Sequence, residues 1–234
     1  GLAGGVFANV RVNQKIFEKS YVENIFIQPA MGDSGLALGA AINAFLVTSN
    51  INSFQGFKFH NTLLGPNYSS KLDMFINSIK NDFNIIKMRD PERTVAKLLA
   101  DNKIIGFWTG DMEWGPRALG SRSILLNTFD TSVNDTLNKR LNRTEFMPFA
   151  PAVLDSLAQI YFPDYKNEDL AGDYMTMTYD VDPQYHELLQ AVVHVDGTAR
   201  PQIVKRDVTP YYYDIINEFY KLTGCGAIVN TSFN

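Results

Sequence analysis

Helical spacing of apolar residues recurs in four stretches of the chain. The predicted helices are residues 34 to about 47, 91–102, 132–141 and 210–222. The first is rich in alanine and glycine, which allows close packing against a sheet, and Asp33 or Ser34 precedes it as a candidate N-cap. The last begins with a proline, contains Tyr211, Tyr212 and Tyr213, and ends before Gly224, a residue suited to a helix C-terminus.

Shorter apolar or alternating runs predict strands between these helices. They are residues 4–12 after a glycine pair, 24–29, 104–108, 174–179 and 227–229. The run 104–108 predicts a buried strand, whereas YMTMTY at 174–179 alternates. Strands and helices that follow one another in this way indicate an α/β fold.

Periodicity fades between residues 48 and about 70, where LLGPNYSS is typical of a crossover between domains. We therefore expect one domain over residues 1–62 and a second, mixed α/β domain over residues 63–234. A glycine pair before a strand, together with an acidic loop before a glycine-rich helix, resembles half of a nucleotide-binding α/β domain. The abrupt beginning GLAGGVFANV and the final VNTSFN lead us to expect that both ends lie inside a longer protein.

Composition narrows the class of protein. The 234 residues carry a net charge of −4, which argues against a broad nucleic-acid surface. Cys225 is the single cysteine, so an internal disulfide and a cysteine metal cage are excluded. No run approaches the roughly 20 apolar residues of a membrane span, and no signal pattern opens the chain, so we expect a cytoplasmic protein without a membrane partner.

The segment 110–125, GDMEWGPRALGSRSIL, is the most informative one. It places Arg117 and Arg122 among turn-forming residues, and two guanidiniums in such a setting suit a small anion. Glycines would allow backbone N–H groups to approach the same anion. The alternative is a structural loop whose arginines pair with Asp111 or Glu113.

Three further segments also combine polar groups with glycine, proline or turn residues. They are residues 142–151 with Arg143, 194–202 with Arg200 and Gln202, and 230–234 with Asn230 and Ser232. If they converge with the first segment, the four arginines form a positive pocket for phosphate, pyrophosphate or a planar carbonyl compound. Asn230 and Ser232 would then supply neutral hydrogen-bonding groups.

Asp33 has two interpretations from the residues alone. As an N-cap it would satisfy one backbone N–H, which is worth about 1 kcal/mol. As a carboxylate ahead of a small-residue helix it could instead bind a cation or a metal–nucleotide complex. His60, His186 and His194 lie far apart in sequence and show no metal-binding pair; His194 alone adjoins a candidate segment.

Taken together, the motifs resemble the O-carbamoyltransferases of nodulation and antibiotic biosynthesis. GDMEWGPRALGSRSIL, TEFMPFAPAVL, DGTARPQIV and VNTSFN resemble the carboxy-terminal region of that family, and GGVFANV and IQPAMGDSGLALGAA resemble the end of its first domain. The resemblance implies a partial actin-like, ATPase-type domain followed by a threonylcarbamoyl-adenylate-synthase-like domain.

The resemblance also implies a reaction in two steps. The second domain would form carbamoyl adenylate from carbamoyl phosphate and ATP, with Mg²⁺ accompanying the nucleotide. The first domain would transfer the carbamoyl group to the hydroxyl of a small-molecule acceptor. A metal, usually iron, belongs to the full-length protein, a homodimer is one option for its assembly, and the chain as given is expected to lack full transfer activity.

Site residues carry over by position. Arg117, Arg200, Asn230 and Ser232 match the family's catalytic contacts to carbamoyl phosphate. Arg122, Gln202 and Arg143 match less directly as substrate-binding residues; Arg143 stands four residues before Met147, where the family often has arginine. Gly4, Gly5 and Asn9 match the loop that approaches the nucleotide, and Asp33 matches a metal-ligating aspartate, which favours the ligand over the cap.

Two other classes stay open at this stage. One is a synthase-like module that binds RNA, which the acidic balance disfavours. The other is a remnant that keeps the fold but has lost its chemistry, and the joint presence of Arg117, Arg200, Asn230 and Ser232 argues against it.

The purified 234-residue chain is expected to hold no metal tightly, because Asp33 alone cannot replace the several ligands that a stable site needs. Elemental analysis after gel filtration measures this directly. Iron retained at one equivalent per chain would contradict the prediction.

Overall fold

Helices and strands alternate along most of the chain. The computed structural model describes residues 1–49, 60–130, 138–139, 149–166 and 170–233. Its helices are α1 (Val10–Phe17), α2 (Leu36–Thr48), α3 (Leu72–Ile79), α4 (Pro91–Ala100), α5 (Asp155–Tyr161), α6 (Leu170–Asp173) and α7 (Pro210–Thr223). Its strands are β1 (Ile105–Trp108), β2 (Arg122–Leu126), β3 (Ala150–Leu154), β4 (Tyr179–Asp180), β5 (Thr198–Ala199), β6 (Gln202–Val204) and β7 (Ala227–Ser232). Short 3-10 turns lie at Gly5–Ala8, Asp33–Gly35, Ser69–Lys71 and Pro183–Tyr185.

A mixed sheet forms the centre of the described residues, with strand order β1-β2-β7-β3-β6. Strand β7 lies in the middle and is antiparallel to both β2 and β3, whereas β3 and β6 run parallel. Every residue of β3 is buried, as expected for an inner strand covered on both faces. This architecture confirms the predicted α/β class.

Helices α4 and α7 pack against each other and against the sheet. Helix α7 begins with Pro210 and ends at Thr223, and the left-handed φ of +76° at the following Gly224 closes it as predicted. Tyr212 is almost fully buried, and its ring lies 5.8 Å from that of Phe107 in β1. Tyr211 and Tyr213 stay half-buried, which confirms that only part of the tyrosine triplet faces the core.

Helix α1 joins the amino-terminal residues to the rest of the structure through buried polar groups. Asn13 is fully buried and donates from Nδ2 to the carbonyls of Phe7 (2.8 Å) and Thr176 (2.7 Å). Gln14 donates to Asp180 (2.9 Å) and accepts from the Thr178 hydroxyl (2.6 Å). Because buried amides left without these bonds would destabilise the fold, these contacts fix α1 on residues 176–180.

Helix predictions in the described residues hold, but several strand predictions are wrong. Residues 4–12 form a 3-10 turn and the start of α1, because the Asn9 side chain accepts a hydrogen bond from the Val12 N–H (3.1 Å) and caps a helix there. Residues 24–29 contribute only an isolated bridge between Leu2 and Ile27. Over such short segments, the spacing of apolar residues does not distinguish a strand from a helix or an irregular segment.

The other differences concern burial and capping. Of the predicted strand 174–179, only Tyr179 lies in a strand. The segment is buried throughout, and Thr176 and Thr178 form hydrogen bonds with α1 instead of with a neighbouring strand. Strand β1 occurs where it was predicted, but only Phe107 is buried in it. Among the described residues, no side chain caps α2 or the Asp33–Gly35 turn, so the predicted cap at Asp33 or Ser34 is wrong. The predicted helix at 132–141 falls almost entirely outside the described residues.

Within the described ranges, the helices lack the combination of length and apolar character that a membrane crossing requires.

Replacing Gly120 with alanine is expected to cost about 3 kcal/mol of unfolding free energy. Its φ is +97°, and an added Cβ would lie 2.4 Å from Cδ1 of the buried Tyr212 ring. Urea denaturation measures the effect. Gly39→Ala is the matched control, because that site in α2 is open and alanine favours a helix. Equal midpoints for the two variants would contradict the packing described here.

Candidate functional site

The loop between β1 and β2 carries most of the predicted anion-binding motif. At its base, the Thr109 N–H donates to the Ser121 carbonyl (3.0 Å). The Arg122 guanidinium donates to the carbonyls of Thr109 (2.7 Å), Ser121 (2.8 Å) and Gly110 (3.2 Å), and it lies 4.5 Å from the Trp108 ring centroid. Arg122 therefore closes the base of the loop, and its predicted contact with substrate stays a prediction.

Glu113 organises the middle of this loop. The residue is only 6% exposed, and its Oε1 accepts from the backbone N–H groups of Leu119 (2.8 Å), Ser121 (2.6 Å) and Arg122 (3.0 Å). Sequence reasoning considered Glu113 as a partner for arginine side chains, yet it binds the backbone. Three backbone N–H groups of the predicted anion-binding segment are thus bound to a carboxylate of the chain itself.

Two amides of the sheet hold the same loop from its other side. Gln202 in β6 donates to the Leu119 carbonyl (2.7 Å), and Asn230 in β7 donates to the Ala118 carbonyl (3.0 Å). Asn230 also donates to Oε1 of Gln202 (2.8 Å). Segments far apart in sequence therefore meet at one place, as predicted for the motifs around residues 117, 202 and 230.

Small residues in β3 make this meeting sterically feasible. Strand β3 lies between β7 and β6, where Ala150 is opposite Asn230 and Ala152 is opposite Gln202. Opposed residues point to the same face of a sheet, so larger side chains at 150 and 152 would separate the two amides. The alanines were not singled out from the sequence, because their role depends on strand order.

Arg117 directly precedes Ala118, whose carbonyl accepts the hydrogen bond from Asn230. The Arg117 side chain is half-buried, and within the described residues no carboxylate lies within salt-bridge distance of it. In the part of the chain that the structure describes, its buried Nε has no hydrogen-bond partner, and neither has the buried Oδ1 of Asn230. Burial lowers the pKa of the Arg117 guanidinium. A buried donor and a buried acceptor thus remain for a ligand to satisfy.

Arg200 and Ser232 lie next to this arrangement in sequence. Arg200 follows β5, is half-buried, and stands two residues before Gln202. Ser232 ends β7 opposite Ser123, whose hydroxyl accepts from the Gly120 N–H (3.0 Å). Arg143 lies outside the described residues, so the fourth arginine of the predicted pocket has no described position.

A narrow cleft adjoins the loop and contains residues that sequence reasoning missed. It is lined by Leu119 and Gln202 together with His60, Asp173 and Lys205. The Lys205 ammonium lies 2.6 Å from the Asp173 carboxylate, yet burial raises the pKa of that carboxyl. In the sequence, Lys205 simply follows a short apolar run, and nothing marks it as a site residue. Its tertiary contact with Asp173 brings it into the cleft.

The amino-terminal residues border the same loop. The Trp114 N–H donates to the Thr62 carbonyl (2.7 Å), and the Gly65 N–H donates to the Met112 carbonyl (2.9 Å). Gly115 has a φ of +114°, and a Cβ there would lie 3.3 Å from the Pro29 carbonyl oxygen, so the two backbones approach closely. The site therefore lies where residues 28–30 and 60–66 meet the mixed sheet.

Two of the residues predicted to bind nucleotide and metal, Gly4 and Asp33, line an open cleft beside α2. Asn9 caps α1, and Gly5 is exposed in the first 3-10 turn. In the part of the chain that the structure describes, no group of three or more histidine, cysteine, aspartate or glutamate side chains could hold a metal ion. Asp33 alone does not make a fitting site.

Comparison with known proteins identifies the class. Residues 96–234 match the family described as Carbamoyltransferase C-terminus, and residues 1–42 match the one described as Carbamoyltransferase N-terminus. The first match covers more than half of the chain. The chain therefore belongs to the carbamoyltransferase family, which confirms the resemblance drawn from its motifs.

Individual relatives are similar over the full chain. It is 37% identical to an uncharacterized protein of Methanocaldococcus jannaschii, and it covers 38% of that protein. It is 36% identical to Nodulation protein NolNO of Sinorhizobium fredii and 34% identical to Nodulation protein NolO of Bradyrhizobium diazoefficiens, covering 34% and 42% of them. All of the chain aligns in each comparison, so it spans about two fifths of the length of these relatives.

His194 should report on the charge of Arg200. Burial, followed by the nearby positive charge of Arg200, lowers the pKa of His194 from 6.5. Since a cation disfavours the imidazolium, Arg200→Ala is expected to raise this pKa, as followed by NMR titration. Arg206→Ala is the control, because Arg206 is exposed and pairs with Asp214. An unchanged His194 titration in Arg200→Ala would contradict the described proximity.

Proposed function

We propose that this chain forms the carbamoyl phosphate site of an O-carbamoyltransferase. One observation carries the proposal: the loop of Arg117 is hydrogen-bonded to Gln202 and Asn230, and among the described residues the buried Nε of Arg117 has no hydrogen-bond partner. Family membership supplies the reaction class, a carbamoyl transfer. The mixed sheet around the site is then the synthase-like domain of the family.

The chemistry of the donor suits these residues. Carbamoyl phosphate is small and doubly charged, so Arg117 and Arg200 can bind its oxygens with charge-assisted hydrogen bonds. Asn230 and Ser232 offer neutral donors and acceptors, while Arg122, Gln202 and Arg143 complete the proposed substrate-binding set. Half-burial of Arg117 strengthens its interaction with an anion, because the local dielectric is lower than that of water.

ATP is the proposed second substrate, with Mg²⁺ bound to its phosphates. Hydrolysis of carbamoyl phosphate releases phosphate and gives carbamate, whose oxygen attacks the α-phosphorus of ATP and displaces pyrophosphate. Carbamate itself is a poor electrophile, and the adenylate gives it AMP as a good leaving group. The resulting carbamoyl adenylate must be kept from water until an acceptor hydroxyl attacks it. The position of the loop between the sheet and residues 28–30 and 60–66 supports such shielding.

Residues 1–62 are proposed to belong to an actin-like carbamoyl-transfer domain, with Gly4, Gly5 and Asn9 near a nucleotide. Asp33 is the proposed ligand of iron or another divalent metal in the full-length, cytoplasmic protein. The described residues supply no further ligands, so no step is assigned to the metal. The small-molecule acceptor is proposed to bind mainly outside this chain, which alone is expected to lack transfer activity.

Arg117→Ala is expected to weaken carbamoyl phosphate binding by about 10- to 100-fold, the effect of losing one charge-assisted hydrogen-bonding group. Isothermal titration calorimetry of the 234-residue chain measures it. Arg200→Ala should weaken binding in the same direction.

Arg93→Ala provides the matched control for loss of one positive charge, because Arg93 is exposed in the first turn of α4. Equal affinity in Arg117→Ala and Arg93→Ala would remove Arg117 from the site. Release of phosphate from carbamoyl phosphate by the full-length protein then separates an active enzyme from a remnant that keeps only the fold.

A further inference from the structure

The Glu113 carboxylate occupies an unusual place for a buried charge. It is 6% exposed, and one oxygen accepts three backbone N–H groups, from Leu119, Ser121 and Arg122, over 2.6–3.0 Å. Hydrogen bonds to an ionised acceptor are about twice as strong as neutral ones. Three of them on one atom fix the backbone of residues 119–122 relative to residue 113.

On its other side, the loop is held by hydrogen bonds from the sheet to residues 118 and 119. Carbonyls of Ala118 and Leu119 accept from Asn230 and Gln202, while the Leu119 N–H donates to Glu113. Leu119 is thus held by its N–H on one side and by its C=O on the other. Arg117 immediately precedes this clamped pair, so its Cα position follows from both sets of bonds.

We propose that Glu113 is a positioning residue for the anion site: through the backbone of residues 119–122 it sets where Arg117 presents its guanidinium. The inference rests on the proposed function, because it assumes that Arg117 binds the anionic donor. Glu113 acts through Arg117 and makes no contact with substrate. Displacement of a binding group by about 1 Å can reduce activity about 100-fold, so small changes in this loop matter.

The test compares Glu113→Gln and Glu113→Asp with Arg117→Ala in the 234-residue chain. Glutamine keeps the length of the side chain but removes its charge, while aspartate keeps the charge and shortens the side chain by one methylene. Glu187→Gln is the matched control, since Glu187 is exposed. Carbamoyl phosphate affinity is measured by calorimetry, and the exchange of the backbone amides at 119, 121 and 122 is measured by NMR.

Both Glu113 variants are expected to bind about 10-fold more weakly than wild type, with faster exchange of these three amides. Combining Glu113→Gln with Arg117→Ala should add little to the loss in Arg117→Ala alone, because Glu113 acts through that side chain. A merely structural role predicts additive losses and therefore overturns the proposal.

Two further outcomes separate this inference from the proposed function. If Arg117→Ala weakens binding while both Glu113 variants bind like Glu187→Gln, the positioning role is wrong and the anion site stands. If Arg117→Ala binds like wild type, the proposed function fails and this inference fails with it. Should Glu113→Gln not fold, as judged by circular dichroism, Glu113→Asp decides by the same criteria.

Discussion

The amide–amide contact between Asn230 and Gln202 is the interaction on which the arrangement of the site depends. It spans strand β3, joins β7 to β6, and turns both side chains toward the carbonyls of residues 118 and 119. Buried carbonyls need donors, and here the donors come from the sheet instead of from the loop itself. The loop therefore takes its position from the sheet, whose geometry is rigid compared with that of a free connection.

This contact also changes the interpretation of the polar residues in the family motifs. Asn230 and Gln202 were predicted to contact substrate, yet their described donors already bind the chain. Among the described residues, the buried acceptor Oδ1 of Asn230 is left without a hydrogen-bond partner. The donor group of a motif residue can thus support its neighbours while its acceptor atom stays available.

Helices α2, α4 and α7 and the last strand could be predicted because long periodic runs and terminal residues such as Pro210 and Gly224 determine them locally. The convergence of residues 115–123, 202 and 230 was also predicted, because in each of these segments polar groups stand beside glycine, proline or turn residues. Residues 4–12 could not be assigned by periodicity: a cap at Asn9 and the buried contacts of Asn13 and Gln14 favour a helix there. The roles of Glu113 and Lys205 follow from tertiary contacts, and no local pattern distinguishes either from a surface charge.

The central position of β7 has a consequence for how the protein is made. Among the described strands it is the last in chain order, yet it joins the β1–β2 hairpin to the parallel β3–β6 pair. During synthesis, the edges of β2 and β3 that pair with β7 lack their hydrogen-bonding partner until residues 227–232 leave the ribosome. The nascent chain is therefore exposed to aberrant edge pairing until then, and chaperone protection is most valuable during that interval.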